Sequence, residues 1–110
     1  MKYTHLYTGP DGLSHFEDVD VPEASPLTMA AESIIFRTAQ AGNASDWHTA
    51  PRSQFLITLS GVAEIVTSGG ETRQFTNGAI MLADDRTGKG HTTRVVGPEP
   101  RVYLTVPLKQ

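Results

Sequence analysis

Hydrophobicity that alternates at every second residue, cut at short intervals by glycine and proline, constrains this chain more than any other feature. Successive side chains of an extended strand point to opposite faces, so a period of two marks strands with unlike faces. After the breaker cluster Gly9-Pro10-Asp11-Gly12, Leu13, His15, Glu17, Val19 and Val21 share one face, and Ser14, Phe16, Asp18 and Asp20 share the other. Pro22 and Pro26 stop that run. Further on, Phe55, Ile57 and Leu59 form an apolar face against a mixed one of Gln54, Leu56, Thr58 and Ser60. Gly61 interrupts, and Val62 to Thr67 resumes with Ala63 and Ile65 on one side.

The turns are equally explicit. Ser68-Gly69-Gly70 leads into a partner strand over Glu71 to Thr76, and Asn77-Gly78 is the strongest hairpin dipeptide in the chain. Ala79 to Ala83 is a short apolar strand, and Asp84 to Gly90 is a polar loop. His91 to Val96 and Arg101 to Val106 flank the rigid turn Gly97-Pro98-Glu99-Pro100. Only Met29-Ala30-Ala31-Glu32 favours a helix by propensity. The β-branched and aromatic residues that follow predict a strand from Ala31 to Ala39 instead, with the helix as the competing reading.

Eight or nine short strands at regular spacing predict an all-β sandwich or barrel. The 110 residues fit one domain, with residues 1–30 supplying N-terminal strands that pack on the barrel or on a partner subunit. A net charge of −3 with nine scattered basic residues argues against a nucleic-acid binder, which needs a basic stripe. Without cysteine, neither a disulfide nor a thiolate metal site is available. No apolar run is long enough to span a membrane or to act as a signal peptide, so the expected location is cytoplasmic.

Two stretches resemble the motifs of the cupin superfamily. The first motif there offers two histidines one residue apart, then a glutamate, then a glycine seven positions on. Here the matching stretch runs from Asp46-Trp47-His48 through Gln54 to Gly61, so Gln54 stands where the glutamate would be and His48 is the one histidine of the pair. The second motif runs from a glycine through a short strand to a further histidine, matched here by Gly78 to Asp85 and His91. Arg86-Thr87-Gly88-Lys89-Gly90 replaces its usual proline-glycine turn. The resemblance spans residues 32–107 and is greatest to small stand-alone members with Trp-His-x-Ala-Pro-Arg and Thr-Gly-Lys-Gly-His stretches, which share no uniform activity.

The resemblance implies an antiparallel cupin (double-stranded β-helix, jelly-roll) barrel with a pocket at its mouth, where His48, Gln54 and His91 face inward. The two histidines are the candidate catalytic pair, able to carry protons. They are also the candidate ligands, with Gln54, for one divalent transition metal (Fe, Ni, Zn or Mn), which Asp46, Asp84 or Asp85 would complete. Thr58, Trp47 and Arg37 are further candidate ligand-binding residues, Arg37 because a guanidinium suits a carboxylate or phosphate. Arg52 and Arg94 share that reading, with an ordinary ion pair as the alternative for all three, and for Trp47 the alternative is a plug at the barrel end. His15, beside Leu13 and Val19, is expected to be partly buried, with contact to the pocket as its alternative. The loop Thr87 to Gly90 is expected to be a flexible flap above the pocket.

Three functional readings follow: a small-molecule pocket with modest acid–base chemistry on a polar metabolite, a metal-dependent oxygenase, isomerase or lyase, and a non-catalytic ligand sensor. A homodimer is expected, because small barrels leave an apolar face and exposed edges. Whether Phe55, Ile57 and Leu59 pack inside or into that interface stays open.

Overall fold

Nine strands and no helix make up the computed structural model of the protein, which describes residues 1–110. They are β1 (Lys2–Thr8), β2 (Ser14–Asp20), β3 (Ile35–Ala39), β4 (Gln54–Ser60), β5 (Val62–Thr67), β6 (Thr72–Phe75), β7 (Ile80–Asp84), β8 (His91–Val96) and β9 (Arg101–Pro107). Two sheets result, one of six strands in the order β2-β1-β7-β4-β9-β3 and one of three in the order β6-β5-β8. With no helix present, none is long and apolar enough to cross a membrane.

The predicted strand positions are met over most of the chain, with two corrections. The segment expected as a strand from Ala31 is shorter, Ile35–Ala39, and no helix forms before it. The backbone there is satisfied from outside: Glu32 N–H donates to the Pro107 carbonyl, Lys109 N–H donates to the Ala30 carbonyl, and Ala31 bridges Leu108. The pairing is also not wholly antiparallel. β1 forms a seven-pair hairpin with β2 and then lies parallel to β7, which adds the N-terminal hairpin to the chain's own large sheet.

The core joins both sheets through Leu6, Phe16, Ala50, Ile65, Phe75, Met81 and Ala83. Phe16 and Phe75 meet across the gap with ring centroids 6.0 Å apart. Leu56 packs against this cluster and Thr58 is wholly buried, so the mixed face of β4 is the inner one. Phe55 lies on the outer face, its ring edge-on to Tyr3 at 5.3 Å, in an apolar groove with Ile80, Val106 and Leu108. The apolar stripe of β4 therefore points away from the core.

Candidate small-molecule site

The space between the sheets is not filled everywhere. On the side of β4, β9 and β8 a cleft of about 250 Å³ remains, floored by Leu56, Met81, Ala83 and Val95. Its polar lining comes from Asn43, Ser45, His48, Gln54, His91, Thr93, Arg101 and Tyr103. Ligand sites in small proteins commonly have this make-up, an apolar floor with a few convergent polar groups.

His48 and His91 meet because their backbones do. Each donates its N–H to the other's carbonyl, at 3.0 and 2.9 Å, and their rings lie 4.4 Å apart. Gly90 makes this approach possible, since it takes φ +76° and a Cβ there would overlap the His48 carbonyl. His91 is buried, whereas His48 is exposed at the mouth.

Each ring is held through Nδ1. His91 Nδ1 lies 2.6 Å from Asp85 Oδ2, which also accepts the Ser14 hydroxyl at 2.6 Å. His48 Nδ1 lies 2.9 Å from the Asp46 carbonyl. A carbonyl or carboxylate only accepts, so Nδ1 carries the proton in both rings and the neutral form keeps its lone pair on Nε2. Asp85 is wholly buried, and its Oδ1 has no hydrogen-bond partner, so its carboxylate is committed through Oδ2 alone.

The other wall carries Arg101, which is 3% exposed. Its Nη2 and Nε donate to the Thr58 hydroxyl at 3.1 and 3.4 Å, and its guanidinium carbon sits 4.0 Å from the centre of the Tyr103 ring. Burial pulls the guanidinium below its usual value, and the Tyr103 hydroxyl opposes that shift. Gly61, at φ +80°, lets the Pro100–Arg101 backbone approach so closely that a Cβ would overlap the Pro100 carbonyl. The glycine that ends the first motif thus seats the start of β9, where Arg101 stands.

Of the residues singled out from sequence, the cleft brings together His48, His91 and Gln54. Thr58 does not reach it, because its hydroxyl lies behind Arg101 as the acceptor for that side chain. Trp47 is 52% exposed and lines no part of the cleft. Arg37 is exposed on the edge strand β3, paired with Tyr103 but not itself part of the cleft lining. Arg52 and Arg94 form surface ion pairs with Glu32 and Glu64. His15 bonds Asp11, and His5 bridges Glu17 and Asp84. The loop Thr87 to Gly90 is pinned rather than poised as a flap. The Thr87 carbonyl accepts the Thr8 hydroxyl, Lys89 N–H donates to Gly12, and the Gly90 carbonyl accepts the Ser68 N–H.

The metal set does not assemble around these side chains. No third histidine, aspartate or glutamate converges with His48 and His91. Asp46 gives His48 its carbonyl, while its carboxylate accepts the Trp47 N–H. Asp84 is held by Ser53 and His5, and Asp85 by His91 and Ser14. A metal held here would rest on two imidazoles and the neutral amide of Gln54, without the carboxylate or third imidazole of the common catalytic zinc sets.

Arg101 and Tyr103 were not singled out from sequence. Both sit on the polar face of β9, opposite Val102, Leu104 and Val106, and only the knowledge that this face turns inward reveals them.

No protein-family model matches the chain, and no curated protein matches it in sequence. Solved structures do. An uncharacterised conserved protein of Klebsiella pneumoniae with a double-stranded β-helix domain matches with a TM-score of 0.55 at 22% identity, covering 82% of each chain. A cupin domain from Bordetella pertussis matches with a TM-score of 0.53 at 15% identity, over 76% of this chain and 93% of that one. A conserved Streptococcus pyogenes protein of unknown function matches with a TM-score of 0.52 at 18% identity, over 82% of this chain and 92% of that one. The protein is a small all-β protein of the cupin fold, as its two motifs imply. Likeness at these identities extends to the fold and no further.

Proposed function

We propose that the protein binds a small polar metabolite in the cleft and moves a proton on it, with His91 as the proton carrier. The observation that carries this reading is the buried chain Ser14–Asp85–His91 ending at the cleft. A base fixed in one tautomer, with a carboxylate behind its protonated nitrogen, is the arrangement that general acid–base catalysis requires. Nε2 of His91 takes the proton, and Asp85 stabilises the imidazolium through Nδ1–H. His48, its ring tilted 57° to that of His91 at the open mouth, relays the proton to solvent, and the Gln54 amide orients the ligand.

We further propose that the working form is a homodimer. Edge strand β3 pairs only with β9, and Phe36 on it is 81% exposed. A two-fold copy can add its own edge antiparallel to this one, so that a single patch covers itself. Sedimentation that gives a monomer at micromolar concentration would overturn this.

The test of the site is a thermal-shift and calorimetric screen of polar metabolites against the native protein, His48→Ala, His91→Ala and the double variant. Each single change is expected to weaken the selected ligand, and an unchanged affinity in the double variant overturns the reading. Asp85→Asn is expected to keep ligand affinity while turnover falls, since the tautomer of His91 is then no longer fixed. Elemental analysis of protein purified without chelator separates the rival: near one Fe, Ni, Zn or Mn per chain, lost in both single variants, would establish His48, Gln54 and His91 as a metal site. Binding without turnover in any assay would leave a sensor.

A further inference from the structure

Four of the other arginines, Arg52, Arg73, Arg86 and Arg94, each pair with a carboxylate. Arg101 is the buried one, and its hydrogen bonds run only to the neutral hydroxyl of Thr58. A buried cation without a counter-charge is costly, and it stays charged because a guanidinium holds its proton throughout the ordinary pH range. No aspartate or glutamate lines the cleft. The cleft thus has one fixed positive charge, no negative charge in its walls, and an opening to solvent.

We infer that the ligand of this cleft is a monocarboxylate, bound through its carboxylate at Arg101 while the rest of the molecule extends toward His91. The inference rests on the small-molecule site proposed above and names its ligand class. A guanidinium has five N–H donors; Nε–H and one on Nη2 go to Thr58, which leaves the Nη1–Nη2 edge for two parallel bonds to a carboxylate. Tyr103 beneath the guanidinium fixes the plane of that edge. One cation balances one monoanion. A phosphate dianion would bring a second charge into a cleft with no second permanent cation.

The test uses the unmodified protein and paired probes: acetate, pyruvate and benzoate, each against its amide, with inorganic phosphate as a further arm. Binding is followed by nuclear magnetic resonance on the Arg101 Nε–H and on the His48 and His91 rings. At least one acid is expected to shift the Arg101 signal and to bind tenfold or more tightly than its amide. Arg101→Gln is expected to weaken that acid by about 10- to 100-fold, the usual effect of losing a charge-assisted bond. Should that variant fail to fold, the acid–amide comparison still decides the matter. Equal binding of acid and amide, with both shifting the histidine rings, overturns the carboxylate assignment and leaves the site standing. Phosphate binding as tightly as the best acid also overturns it. Silence from every probe at Arg101 and at both histidines overturns the assignment and the site together.

Discussion

On the side of the sandwich where β1 and β2 face β5 and β6, Leu6, Phe16, Ile65 and Phe75 close the space between the sheets. On the side where β4 and β9 face β8, the corresponding space holds Gln54, Arg101, Tyr103 and His91 around a cleft. The same two sheets thus make a packed half and an open half. Apolar burial stabilises the first, at roughly 25 cal/mol per Å² removed from water. The second holds a buried cation and a buried carboxylate that make no direct contact with each other, an arrangement that adds little to stability. What distinguishes the halves is the residues on the inner faces, not the backbone.

The comparison breaks most directly in the core. Leu6→Ala is expected to cost about 3–5 kcal/mol, since the side chain is wholly buried in the packed half. Leu56→Ala, at the floor of the cleft, is expected to cost about 1–2 kcal/mol, because free space already lies beside it. Urea unfolding midpoints measure both, and equal costs would erase the distinction.

Next in size is Gly90→Ala. Its Cβ would overlap the His48 carbonyl at a positive φ, so the two-way bridge to His91 must open. A loss of about 2–3 kcal/mol is expected, together with a shift of the His91 amide resonance. Retention of both stability and that resonance would show that the histidine pair is not held by this contact.

A smaller effect is expected at Asp84, at the end of β7. Burial pushes its carboxyl up, but the Ser53 hydroxyl and the His5 ring outweigh it and hold the group below its ordinary value. The folded state then binds fewer protons than the unfolded state. This stabilisation is complete above the ordinary carboxylate range and is lost as pH falls through the folded value. Ser53→Ala is expected to cost about 1 kcal/mol at pH 7 and to make no difference once the carboxyl is protonated in both states. A penalty that does not shrink as pH falls through the carboxylate range would contradict this.

The smallest effects are expected at the two surface residues that sequence reasoning had placed with the ligand. Arg37→Ala and Trp47→Phe should change stability by no more than about 0.5 kcal/mol and leave ligand affinity unchanged. A clear affinity loss in either would enlarge the open half beyond the cleft described.

Much of this was legible in the chain. Alternation and turn dipeptides located β4 to β9, because a period of two and an Asn-Gly turn are local properties. The motif spacing brought His48, Gln54 and His91 to one cleft, where Gly90 permits the His48–His91 backbone contact. What alternation cannot tell is which face turns inward. On β4 the apolar stripe of Phe55, Ile57 and Leu59 lies outside and the mixed face lines the interior, and on β9 Val102, Leu104 and Val106 likewise oppose Arg101. That inversion hid Arg101 and Tyr103, and it leaves Thr58 behind Arg101 rather than on the cleft surface. The loop from Thr87 to Gly90 misled for a related reason: its composition suits a flap, but its hydrogen bonds go to Thr8, Gly12 and Ser68.

If the open half is the site of a small polar ligand, that ligand can be located directly. Co-crystallisation of the native protein with the tightest compound from the metabolite screen is the test. The ligand is expected between the sheets, within hydrogen-bond reach of His91 and against Gln54 and Arg101. A ligand seated instead in the outer groove of Tyr3, Phe55 and Val106, or a screen that selects nothing, would contradict this.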